Sequence, residues 1–284
     1  MRDKASVFRL AMLAPGSIAT VALILFPLAL VLFLAFRQND GSLLGAGFTT
    51  ANLTSVVVDG LNWTVILRSL AIAGLVTIAT VVAAFPVAYY LAFHAGRWRG
   101  LVLFLVTLPF WTSYLLRVFA WKIVLAYNGV LNSALVGSGL WSEPTLAFLN
   151  TPLAVVVTLA HAYAPFAILP ILVALDTIPK SYREAAADLG ARPFTTLRRV
   201  VIPNAMPGVL AAALVVFVPT VGDYVTPAMV GGPSSTMIGS LIQAQFGKAN
   251  DWPFGAALAI AVMLVILAVV MIVRLSDRRF GSRT

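Results

Sequence analysis

Six stretches of the chain, at 11–36, 65–93, 101–125, 152–174, 205–229 and 254–273, are apolar for long enough to cross a bilayer as helices, which takes about 20 residues each. A backbone in hydrocarbon must satisfy its own N–H and C=O groups, and a helix does so within one segment. The pattern predicts an all-α integral membrane protein with six transmembrane helices, forming one transmembrane domain over 1–284. Composition agrees: 61% of the residues are hydrophobic and 10% are charged, against about 25% charged in a soluble domain. A water-soluble domain and a disordered chain are both excluded. The first stretch is too long for a signal-peptide core, and Arg37 follows it without a small-residue cleavage site, so it reads as a retained helix.

The formal charge of +9 would point to nucleic acid in a soluble protein. Here the basic residues fall mostly between the apolar runs, so no nucleic-acid partner is expected. Segments 1–10, 94–100, 175–204 and the tail after 273 hold 14 Lys and Arg, whereas 37–64, 126–151 and 230–253 hold 2. The positive-inside rule then places both termini and the 175–204 loop in the cytoplasm. There is no cysteine, which excludes disulfides, thiol catalysis and Cys-ligated metal. No internal repeat of the kind found in two-halved secondary transporters is evident. Asn52-Leu53-Thr54 and Asn62-Trp63-Thr64 match the short glycosylation pattern on the outer side, a match that arises easily by accident.

The longest polar connection, 176–207, reads DTIPKSYREAAADLGARPFTTLRRVVIPNAMP. Ser181-x-x-Glu184 has the form of a capping box, which predicts a short helix starting near Tyr182. Gly190 suits the left-handed residue that ends such a helix, and Pro193 suits the first turn of a second one. Tyr182, Ala185, Ala186 and Leu189 share one helical face. A helix of two turns is marginal alone and needs a docking surface. Lipid headgroups, attracted by Arg183, Arg192, Arg198 and Arg199, are one such surface.

Glu184-Ala185-Ala186, then Gly190, then Val200-x-Ile202-Pro203 resembles the EAA loop of ABC importer permeases, whose pattern ends Ile-x-Leu-Pro. This chain departs from it by Val for Ile and Ile for Leu, both aliphatic. The resemblance implies a type I ABC importer permease in a bacterial inner membrane. It assigns ATPase coupling to Glu184, Ala185, Ala186, Gly190 and Pro203, on a loop docked in a dimer of separate ATP-binding subunits. It further implies a second, related permease subunit and an external solute-binding protein as partners. The chain has no GxxxxGK[ST] loop, so ATP and Mg are expected on the partner ATPase. No catalytic residue, metal site or cofactor is expected on this chain.

Further segments, LPFWTSYLLRVFAW (108–121), NGVLN (128–132), GDYVTPAMVGG (222–232) and DWPFGAA (251–257), resemble the permeases of spermidine/putrescine importers. From the residues themselves, Asp223 is the one acid inside any predicted span, and an acid at that depth faces protein or water. Pro219, Gly222 and Pro227 around it disturb helices, as is tolerated where backbone lines a cavity. A carboxylate there can hold an ammonium while Trp111, Tyr114 or Tyr224 offers a ring face. The alternative is structural. At about 1.5 Å per residue Arg117 and Asp223 reach similar depth, and a buried pair would leave no free anion. His161 in the fourth span is either a proton carrier or, more ordinarily, a hydrogen-bond link to a neighbouring helix. An ion-gradient-driven secondary transporter using Asp223 and His161 is the competing function. A membrane-embedded hydrolase would need a clustered acid, His or metal site that this chain lacks.

Overall fold

A computed structural model gives the backbone of residues 2–41 and 47–281, and the side chains of 16, 19–41 and 47–273. The basic side chains of 1–10 and of the tail after 273, which weigh in the orientation, lie outside these described residues. In chain order the helices are α1 (Arg2–Ala35), α2 (Ala51–Val58), α3 (Gly60–Phe93), α4 (Arg99–Thr107), α5 (Tyr114–Leu125), α6 (Val130–Gly137) and α7 (Pro152–Asp176). They continue with α8 (Lys180–Asp188), α9 (Pro193–Thr196), α10 (Ile202–Val221), α11 (Val225–Val230), α12 (Ile238–Gly247) and α13 (Trp252–Gly281). Among the described residues there is no strand, only an isolated antiparallel bridge between Arg37 and Phe48.

Five segments are long and apolar enough to span: Gly60–Phe93, Tyr114–Gly137, Pro152–Asp176, Pro193–Val221 and Trp252–Val273, with a shorter apolar stretch at Ala19–Ala35 in α1. The third predicted span, 101–125, is interrupted. Pro109 has no N–H to continue the ladder, so α4 stops at Thr107 and a 3₁₀ turn covers Leu108–Trp111. Thr112 is extended, and α5 begins at Tyr114. The spanning run there moves to Tyr114–Gly137. The fifth predicted span is broken too. It stops at Val221, where Gly222 follows Pro219, and resumes as α11 at Val225.

The chain divides into two compact units, one of Met1–Trp63 with Leu241–Val265 and one of Thr64–Ser240 with Ile266–Thr284. In the first, the amide of Asn52 donates to the carbonyls of Ala35 (3.1 Å) and Arg37 (2.8 Å). Buried Asn62 donates to Ser55 O. Both sequon amides are therefore used internally. The Arg37 guanidinium lies against the edge-to-face pair of Phe33 and Phe48 rings, 5.2 and 4.9 Å from their centroids.

The core of the second unit is α7 against α10. On α7 Val155, Thr158, Leu159, Ala162, Ile168, Ile171 and Leu175 are buried at helical spacing. On α10 the buried line is Ala205, Gly208, Ala212, Val216 and Thr220. Small residues let two backbones approach where lipid supplies no hydrophobic drive for association. At Gly208 the approach is so close that a Cβ would overlap the Ala174 methyl and the Pro170 carbonyl. Two buried hydroxyls bond within their own helices, Thr80 to Val76 O and Thr220 to Val216 O, whereas buried Thr158 Oγ1 has no protein partner.

Candidate functional site

The polar connection forms the two helices its sequence foretells, with one correction. Pro179, held extended at ψ 140, is the N-cap of α8, so the helix starts at Lys180 and Ser181 falls inside its first turn. No side-chain cap bond forms there, and the capping box is not made. The end is as expected. Gly190 is left-handed at φ 75, its N–H bonds Ala187 O and that of Ala191 bonds Ala186 O, the double closure of a Schellman motif. Pro193 opens α9, which continues through a π turn at Leu197–Val201 into α10. The π turn precedes Pro203, which has no N–H to give to Arg199 O, and lets the rod run on. Pro193–Val221 is thereby one 29-residue segment joining the loop to the core.

Glu184 and Ala185 are exposed and Ala186 is half-buried on α8, while Pro203 lies a helix away and is also exposed. Tyr182, Leu189 and Phe194 are 52, 88 and 73% exposed. An apolar face this open on a two-turn helix has the form of a docking surface. Behind it, Arg183 lies 4.1 Å from the Phe93 ring centroid, and Arg99 at the head of α4 pairs with Asp176 at the foot of α7.

The second site lies where the two helix interruptions meet. Asp223, 8% exposed, accepts at Oδ1 from the N–H of Val225 (2.9 Å) and of Thr226 (3.4 Å), capping α11 from the break. At Oδ2 it accepts the Tyr114 hydroxyl at 2.7 Å, and the same hydroxyl is 2.6 Å from Thr226 Oγ1. Tyr114 is the first residue of α5 after the other break. The Arg117–Asp223 ion pair, the structural alternative, is not formed. Arg117 donates to Ala162 O at 3.0 Å, its guanidinium lies 5.8 Å from the Tyr114 centroid, and its buried Nε has no protein partner. Tyr114 thus links the two charges. Trp111 and Tyr224, 77 and 48% exposed, flank the two breaks without joining this cluster; Trp111 packs edge-on against Phe110.

Thr226 was not singled out by sequence reasoning, although its spacing three residues after Asp223 is that of an N-cap pair. The same holds for the clamps on the break. At Gly239 a Cβ would strike the Gly222 and Asp223 carbonyl groups. Ser69 of α3 accepts from Ile238 N at 2.7 Å and donates to Val65 O. Asn150, left-handed at φ 61, donates its N–H to Val230 O.

His161 is the interhelical link. Its Nδ1 accepts the Trp121 indole N–H at 3.1 Å, which requires that nitrogen unprotonated. A His161→Phe variant is expected to keep transport within about twofold with an unchanged pH profile, because it loses one hydrogen bond of modest worth in a membrane. A pH profile that shifts in vesicle uptake would make His161 a proton carrier.

Interrupted apolar spans, one of them continuous with an exposed polar loop helix, are the architecture of a membrane-embedded transport subunit. The profile of the binding-protein-dependent transport system inner membrane component family matches residues 6–282, and the chain belongs to that family. It is a permease subunit of an ABC importer. The spermidine/putrescine transport system permease protein PotB of Haemophilus influenzae is 34% identical over 249 residues, 88% of this chain and 87% of that protein. PotB of Escherichia coli is 37% identical over 81% of this chain and 82% of its own length. In fold, a bacterial ABC transporter involved in the import of the acidic polysaccharide alginate matches at TM-score 0.74 and 17% identity, over 98% of this chain and 99% of that one. The MetNI methionine ABC transporter matches at 0.55 and 21% identity, over 78% and 95%.

Proposed function

We propose that this subunit conducts polyamines, spermidine or putrescine, or a closely related small cation, into the cell as half of a translocation pathway. The observation that carries the substrate class is 34–37% identity to the two PotB proteins over more than four fifths of the chain. In this reading Trp111 and Tyr224 present ring faces to the passing cation. Asp223 acts through geometry, holding α11 and α5 together at the paired breaks. Its carboxylate already accepts three hydrogen bonds, which leaves little for an ammonium.

A dimer of ATP-binding subunits, carrying ATP and Mg, docks on α8. A second permease completes the path, and a solute-binding protein delivers the cargo from outside. Both termini and the α8 loop face the cytoplasm, in keeping with the 14-to-2 division of basic residues between the two sides. The force path runs from Glu184, Ala185 and Ala186 through Gly190 and Pro203 into α10.

Reconstituted with its ATPase, second permease and binding protein, the chain is expected to give saturable uptake of labelled spermidine or putrescine that requires ATP and the binding protein. ATP hydrolysis without polyamine uptake would exclude polyamines as the cargo. Uptake by this chain alone on an ion gradient would restore the secondary-transporter reading. Glu184→Ala is expected to lower coupled uptake at least about tenfold, as loss of roughly 1.4 kcal/mol at the docking contact would, with insertion intact. Wild-type coupling in that variant would remove the loop from the mechanism.

A further inference from the structure

The end of α3, the side of α8 that faces it and α9 border an open cavity of about 790 Å³. Its wall carries His94, Arg99, Lys180 and Arg183 against one carboxylate, Glu184. Arg99 is held by Asp176. Among the described residues, no carboxylate oxygen lies within 4.0 Å of the cationic groups of Lys180 or Arg183. A concave wall with an excess of one charge focuses its field into the cavity and concentrates the opposite charge there.

Two further observations choose among anions. Tyr89, Tyr90, Phe93 and Trp98 gather at this end of α3, with Tyr89 and Phe93 rings 5.0 Å apart. Such aromatic belts sit at headgroup depth. The wall is also amphipathic, since Leu91, Ala92 and Phe93 line it beside the basic groups, with the Arg183 guanidinium 4.1 Å from the Phe93 ring centroid. A free phosphate has no use for an apolar wall. A phospholipid, whose phosphate is joined to glycerol and acyl chains, does. We propose that this cavity binds the phosphodiester headgroup of an anionic phospholipid from the leaflet on the α8 side, as basic pockets between membrane helices do. Lys180 and Arg183 belong to α8 itself, so the bound headgroup ties the docking helix to the end of α3 and steadies it. The leaflet and the effect on coupling rest on the importer reading above; the binding itself does not.

The test uses the complete transporter in vesicles of phosphatidylcholine alone or mixed with phosphatidylglycerol. Lipid retained after extraction is read by native mass spectrometry, and coupled uptake is measured alongside. Phosphatidylglycerol is expected to be retained and to raise coupled uptake. The Lys180→Gln/Arg183→Gln variant is expected to lose retention about 25-fold, at about fivefold per basic residue near an anionic surface. Arg183→Lys, which keeps the charge, is expected to retain it. Wild-type retention in the double glutamine variant overturns the proposal. So does full replacement of the lipid effect by inorganic phosphate added to phosphatidylcholine vesicles. Retention by the subunit alone but not by the whole transporter would assign the cavity to the ATPase and overturn it as well. Absence of ATP-driven uptake in every membrane counts against the transporter reading, whereas retention tests the cavity separately.

Discussion

Replacing Gly208 with leucine is expected to push α7 from α10 and to lower the unfolding temperature clearly. Helix association in lipid depends on van der Waals contact between closely approaching backbones, and here even a methyl at Gly208 would overlap Ala174 and the Pro170 carbonyl. A carbonyl oxygen cannot rotate aside as a side chain can, so one helix must shift. Overpacking in a tight core costs about 1–3 kcal/mol, occasionally more, and four added side-chain carbons against backbone place this variant at the upper end. Gly208→Ala should lie between it and the wild type. Ala211→Leu, on an exposed position of the same helix, should be near neutral. Thermal unfolding of the purified subunit measures all three. If the leucine variant melts with the wild type, the contact is looser than the geometry requires and α10 does not carry force rigidly to α7.

The spanning segments were legible because long apolar runs are a property of composition, and hydropathy measures that directly. Their interruptions were not. Hydropathy is the same whether residues 108–113 are helical or turned, and only the missing N–H of Pro109 marks the place. Gly222 beside Pro219 signalled disturbance without saying that α10 would stop at Val221. The breaks also bear on the Arg117–Asp223 alternative. Equal depth along unbroken helices brings the two charges level, whereas with both helices interrupted the Tyr114 hydroxyl bonds the carboxylate and Arg117 bonds Ala162 O.

In the docking loop, Gly190 and Pro193 were readable because each residue suits few backbone states, a left-handed turn and a helix start. The capping box failed because Pro179 fixed the start two residues before Tyr182, and a serine inside the first turn is no longer a cap. The small residues at Ala205, Gly208 and Ala212 were visible in sequence, but nothing local names the helix they face. Partners across the chain are set by tertiary packing, which is also why Ser69, Thr226 and Gly239 escaped notice.

Tyr114→Phe and Asp223→Asn are expected to be strongly coupled in a double-mutant cycle. Each removes one side of a charge-assisted hydrogen bond that is partly screened from water, worth about 1.5–3 kcal/mol. The aspartate substitution keeps an oxygen to cap α11, so the break should survive while its tie to α5 weakens. The double variant should cost little more than the worse single, since both remove the same contact. Arg117→Ala combined with Asp223→Asn should couple more weakly than the Tyr114 and Asp223 pair, because Arg117 bonds Ala162 O and meets the carboxylate only through Tyr114. Uptake should fall at least about tenfold in either Tyr114→Phe or Asp223→Asn, the kinetic equivalent of roughly 1.4 kcal/mol, with the subunit still assembled. Recovery of assembly or uptake on adding Arg117→Ala would return the direct ion pair. Additive losses for Tyr114 and Asp223 would mean that the paired breaks move independently and that no single polar cluster holds them.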